Sequence, residues 1–231
     1  MIDLGSTDFL IQVPSLPEAE LAGLSTALFD SWESYVGDSL SVPDYSLFLQ
    51  VEEGSIKGVA TMGALLYAVY MGIGNYGSFI SGVQTINEQL SAARQYLADE
   101  AGRTFPCQGA NTSTRKRGGS LAALQRLFVK VQKGELTPED AVAQAEVLLG
   151  GEAATVPGFQ RDLENAFHTC PRFPEQLPLP LMEDDLQALL DSRHPSRPTR
   201  PKPVLGPALQ FRVEVWRESK SKRKETRIIR L

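Results

Sequence analysis

The chain has 231 residues, 42% hydrophobic and 22% charged, which excludes a wholly disordered or fibrous protein and is enough to bury a core. Two cysteines, and a start (Met1-Ile2-Asp3-Leu4) with no basic region, exclude a disulfide scaffold and make a reducing cytoplasm the expected compartment. The net charge of −5 averages over opposed blocks: −10 over residues 1–56, no charge over 58–87, +7 over 101–134, −10 over 135–191 and +9 over 192–231. Such segregation predicts either that acidic and basic segments of the chain face one another, or that separate surfaces meet partners of opposite sign.

In chain order, Phe9 to Val13 is a short apolar run, and Ser15-Leu16-Pro17-Glu18 has the form of a capping box. Leu21, Leu24, Leu28, Trp32 and Tyr35 then recur at helical spacing, predicting an amphipathic helix over 16–36. Ser46 to Glu52 alternates as a strand does.

The uncharged block opens with Val59 to Ile73, expected as an apolar helix of about 22 Å, short of the ~30 Å of a bilayer core. Gly74 to Gly77 marks a turn, and a second helix follows from Ser78. Ala60, Ala64, Ala68 and Gly72 fall at steps of four, and Gly74, Ser78 and Gly82 repeat the pattern, predicting a stripe on which another helix packs closely.

Phe105 to Gly119 reads as a loop. Three short helices follow, over 121–133, from Thr137 to Gly150, and over about 158–168. Residues 171–207 hold nine prolines around one acidic turn, Glu183 to Asp191, and predict an extended connector. Ala208 to Leu231 predicts a β-hairpin with Leu209, Phe211, Val213 and Val215 on one face, Trp216 on the other, and a basic tip at 219–224. A lone hairpin is marginal in water, so the N-terminal strands are expected to supply its sheet.

The expected fold is α+β in five segments: an acidic strand-helix-strand unit (1–54), an apolar helical hairpin (55–102), a helical unit (103–170), the proline-rich connector (171–207) and a basic hairpin (208–231). Catalytic signatures are sparse. His168-Thr169-Cys170 would need two more ligands to hold zinc, and Cys107, the only obvious third, lies 61 residues from His168. Gly72 to Gly77 matches G-x-G-x-x-G in spacing, but follows an expected helix where a dinucleotide site needs a strand. No catalytic residue, metal or cofactor is expected.

The function expected is that of a non-enzymatic interaction or assembly subunit. It would form oligomers, or meet a partner protein, through the stripe of Ala60, Ala64, Ala68, Gly72, Gly74, Ser78 and Gly82. Arg115, Lys116, Arg117, Lys220, Lys222, Arg223, Lys224 and Arg227 would contact an anionic partner. The alternatives are a membrane-associated protein that inserts residues 58–86 beside anionic lipid, and a nucleic-acid-binding accessory protein acting through the tail.

Overall fold

The computed structural model describes residues 1–12, 15–53, 56–105, 112–173 and 211–231. The connector from residue 174 on, with its acidic turn, and Cys107, His194 and Leu209 lie outside them. The chain is α+β, with an antiparallel sheet of six strands: β1 (Ile2–Ile11), β2 (Ser46–Glu52), β3 (Ile56–Ala64), β4 (Thr112–Gly118), β5 (Phe211–Arg217) and β6 (Glu225–Arg230). Their order across the sheet is β4-β1-β3-β2-β5-β6. Seven helices accompany them among the described residues: α1 (Glu18–Ser39), α2 (Leu66–Ile73), α3 (Phe79–Thr104), α4 (Ser120–Gln132), α5 (Pro138–Leu149), α6 (Glu152–Thr155) and α7 (Phe159–His168).

Alternation decides which face of the sheet is core. Phe9 and Ile11 of β1, Leu47, Leu49 and Val51 of β2, Ala60 and Met62 of β3, and Val213 and Val215 of β5 are all buried on one side, where α1, α3 and α4 pack. Their intervening neighbours point the other way. The C-terminal hairpin finds its sheet as expected, β5 pairing antiparallel with β2 over Leu47 to Glu52. Strands from four of the five expected segments thus share one sheet.

Several local expectations hold. Helices begin after Ser78 and Thr137 as expected, and each residue caps its helix, Ser78 accepting from the Ser81 amide and Thr137 from the Asp140 amide, both at 3.2 Å. The helical unit is present as α4, α5 and α7, with Phe128 stacked on Phe167 at 4.2 Å between ring centres.

Others are corrected. Residues 59–64 are not helical. They belong to β3, near the middle of the sheet, because Val59, Thr61 and Gly63 alternate with buried Ala60, Met62 and Ala64. The apolar helical hairpin is therefore only α2 and the start of α3. No helix among the described residues is long and apolar enough to cross a membrane. Residues 112–118, expected as loop, form edge strand β4, whose polar residues give no hydrophobic alternation to detect. Ser15 does not cap α1. Its hydroxyl donates to Glu53, and Pro17 takes the cap position without a side-chain bond.

Gly5 is a place where only glycine serves. The β1 register slips between Asp3 and Gly5, and Gly5 sits at φ 124°, so the chain bulges there. Under the bulge the buried Arg94 of α3 donates to the Leu4 carbonyl at 3.1 Å. Burial pushes the Arg94 pKa down, and the nearby Asp3 carboxylate opposes that shift.

Candidate functional site

The small-residue stripe does not form one helix face. Ala60 and Ala64 lie in β3 and are buried under the helices, and Ala68 is buried in α2. Gly72 and Gly82 do permit close packing, but within the chain. A Cβ at Gly72 would meet the Ser41 carbonyl oxygen at 2.8 Å, and one at Gly82 would meet the Ile73 carbonyl oxygen at 2.7 Å, where α2 crosses α3. Gly74 is exposed and Ser78 serves as a cap.

The basic tail is largely turned inward as well. Arg217 pairs with Glu33 and Lys224 with Asp30, both of α1, while Arg230 reaches Glu18 at 3.4 Å and Arg212 meets Glu52 at 2.6 Å. Asp44 accepts from the Ser219 hydroxyl and the Lys220 amide, each at 2.8 Å, and Lys220 Nζ stands 5.9 Å from the Tyr45 ring centre. Lys222 pairs with Glu218 in the same hairpin. Of the tail cations expected to meet a partner, Lys220, Arg223 and Arg227 have no ion pair among the described residues, and Lys220 lies against the Tyr45 ring. The opposed first and last charge blocks thus act mainly as docking between the hairpin and α1.

The sheet face opposite the core carries no helix among the described residues. Register arranges it in rows across all six strands. One row is Arg117, Ser6, Thr61, Phe48, Trp216 and Glu225, and the next is Arg115, Asp8, Val59, Gln50, Glu214 and Arg227. A third is Ser113, Leu10, Lys57, Glu52, Arg212 and Ile229. Leu10 and Val59 are each 36% exposed, and Phe48 and Trp216 are half-buried directly opposite one another on the adjacent strands β2 and β5.

Charge on this face is close to balanced, with five cations in the three rows against four carboxylates. Two of the cations are neutralised in place, Arg117 by Asp8 at 3.3 Å and Arg212 by Glu52. Where β2 begins and β3 and β5 end, Phe48 and Trp216 border a cleft of about 480 Å³ that also includes Met1, Leu65, Arg217 and Lys222.

A second cavity, of about 660 Å³, lies between the α2–α3 turn and α7. On its wall the Tyr70 hydroxyl donates to Asp162 at 2.6 Å. That bond, then burial, raises the Tyr70 pKa, and the same bond holds the Asp162 carboxyl below its ordinary range. The pair therefore stabilises the fold above the ordinary carboxylate pKa and below the ordinary phenol pKa. Its contribution is lost as pH falls through the depressed Asp162 pKa and as pH rises through the raised Tyr70 pKa. In Asp162→Ala, Tyr70 is expected to ionise at lower pH than in the parent, followed by NMR of ring-labelled tyrosine; an unchanged titration would contradict the assignment.

Gly72 to Gly77 follows strand β3 only through helix α2, so the glycine spacing lacks the strand-to-helix turn that cradles a pyrophosphate. His168 stands 3.9 Å from Glu139, Cys170 is buried, and no three His, Cys, Asp or Glu side chains among the described residues are grouped to hold a metal ion. Comparison with protein families, curated proteins and solved structures finds no match.

Proposed function

We propose that this protein is a binding subunit that docks a partner protein on the uncovered face of its sheet, with Phe48 and Trp216 as the anchor. The observation that supports it most is the register: Phe48 and Trp216 stand opposite one another on β2 and β5, near one end of a sheet face that no described helix covers, with exposed Val59 in the next row and polar and charged residues around them. Aromatic anchors inside a polar rim are the usual composition of a protein interface. With neighbouring strands about 4.8 Å apart and residues about 3.3 Å apart, the face offers roughly 600 Å², most of the ~800 Å² that each partner gives to a standard interface.

The balance of charge favours a protein over a polyanion. Nucleic acid is held by cations that replace condensed counterions, and here the aromatic pair is flanked by Glu214, Glu225 and Glu52 as closely as by arginines. Association through the small-residue stripe is not part of the proposal, since Ala60, Ala64, Ala68, Gly72 and Gly82 are buried inside the fold.

The test is co-purification from the native host with the parent chain and with Phe48→Ala/Trp216→Ala, followed by reconstitution of any retained protein in purified form. Loss of two anchors is expected to weaken the complex by more than about a hundredfold. Both side chains lie off the core face, so the melting temperature should change little. A purified partner that binds both forms equally would refute the proposal.

A further inference from the structure

Both edges of the sheet are basic, but their cations are placed differently. Along β6, Arg230 pairs with Glu18, and Arg227 stands opposite Glu214 in the ladder. Along β4, residues 113–118 are all exposed, and no described strand pairs with the outer edge. The Arg115 side chain has no ion pair or hydrogen bond among the described residues, though it stands opposite Asp8 in the ladder; Lys116 donates only to the neutral Gln95 amide, and Arg117 pairs with that same Asp8, so one carboxylate serves two arginines.

Arginine and lysine on an edge strand keep a second copy from pairing there, and with both edges basic a head-to-tail contact between β4 and another copy's β6 brings like charges together. The same arrangement leaves the edge open to a strand of opposite charge. Every second residue of β4 directs its N–H and C=O away from β1, as a strand-adding segment requires. Arg115 and Arg117 project from the uncovered face, because they register with Asp8 and Ser6. On an added strand, the two positions facing them are two residues apart and on one side.

We infer that β4 is a docking edge for an extended acidic polypeptide segment, which joins the sheet as a seventh strand and places carboxylates at alternate positions opposite Arg115 and Arg117. The occupant is identified by charge complementarity to a strand with three cations and one carboxylate beside them, and by a hydrogen-bonding edge that no described strand covers. The inference rests on the reading of the protein as a binding subunit, but not on its aromatic anchor. Such a segment would lie beside the Ser6 and Asp8 row, so one partner could occupy edge and face together.

The experiment uses the full chain and an eight-residue peptide alternating glutamate with threonine, followed by fluorescence anisotropy and by amide exchange of residues 113–118. Saturable binding is expected, with alternate amides of β4 becoming protected. Binding should weaken at least about tenfold in Arg115→Glu/Arg117→Glu, and with rising salt. It should survive Phe48→Ala/Trp216→Ala, which separates failure here from failure of the sheet-face anchor. A peptide of the same charge, N-methylated at alternate residues, should not bind. Equal binding of the methylated peptide, tighter binding of an eight-nucleotide single strand, indifference to the charge reversal, or no saturation up to millimolar peptide would each overturn the inference.

Discussion

Removal of residues 211–231 is expected to yield a chain that no longer unfolds cooperatively and associates through the strand it bares. The hairpin is part of the core and not an appendage. Val213 and Val215 are fully buried against the row that includes Leu49 and Val51, and Phe211 packs partly into the same cluster. Burying side chains of this size contributes about 1.5–3 kcal/mol each, so three of them approach the whole ~5–15 kcal/mol stability of a domain. Deletion also turns β2 from an interior strand into an edge, with free backbone groups beside apolar residues. It leaves Glu33 and Asp30 of α1 without Arg217 and Lys224. Thermal melting by circular dichroism and size-exclusion chromatography would show the effect, and a shortened chain that melts cooperatively at the parent temperature would contradict it.

Gly82→Leu is expected to destabilise the fold by about 1–3 kcal/mol or more, the range for forcing extra carbon into a packed contact. At 231 residues this corresponds to a fall of roughly 2–4 °C in melting temperature for each kcal/mol. The cause is local: the new Cβ would stand 2.7–2.8 Å from the Ile73 backbone and the Ile73 methyl group, so α2 must move off α3. Gly74→Ala provides the contrast, since the nearest atom to a Cβ there is 3.5 Å away and the residue is exposed. If these small residues packed against another chain, Gly82→Leu would instead reduce oligomer size while the monomer kept its stability. Melting curves and light scattering on the two variants separate the alternatives.

The contrast between Gly82 and Ala60 shows what spacing alone conveys. Steps of four among small residues are compatible with a helix face, but 60, 64, 68 and 72 are also all even, so in β3 the first two fall on one face of a strand. Val59 to Ala64 is apolar at nearly every position, which hides the period of two. The strands β2 and β5 were legible because Gln50 and Glu52, and Arg212 and Glu214, interrupt the apolar residues in alternation. Strand β4 was not, because an edge strand exposed throughout needs no buried partner residues and is held by backbone pairing to β1.

The charge blocks were legible as a pattern, and so was the possibility that they meet one another. Which lysine meets which aspartate depends on where the hairpin joins the sheet. The same holds for the aromatic anchor. Trp216 was placed opposite the apolar face of the hairpin from the sequence, but its neighbour Phe48 lies 168 positions earlier, and only the pairing of β2 with β5 brings them into one row. A candidate surface built across six strands cannot be read without that register.

The most direct measurement of the sheet-face claim is the solvent accessibility of Trp216, read by acrylamide quenching in the free chain and in the reconstituted complex. The chain has only two tryptophans, and Trp32, buried in α1 against the core, serves as the shielded internal reference. In the free protein Trp216 is expected to be quenched and Trp32 not. In the complex, the account predicts that Trp216 becomes shielded to the level of Trp32. A saturated complex in which Trp216 is quenched as readily as in the free chain would contradict it.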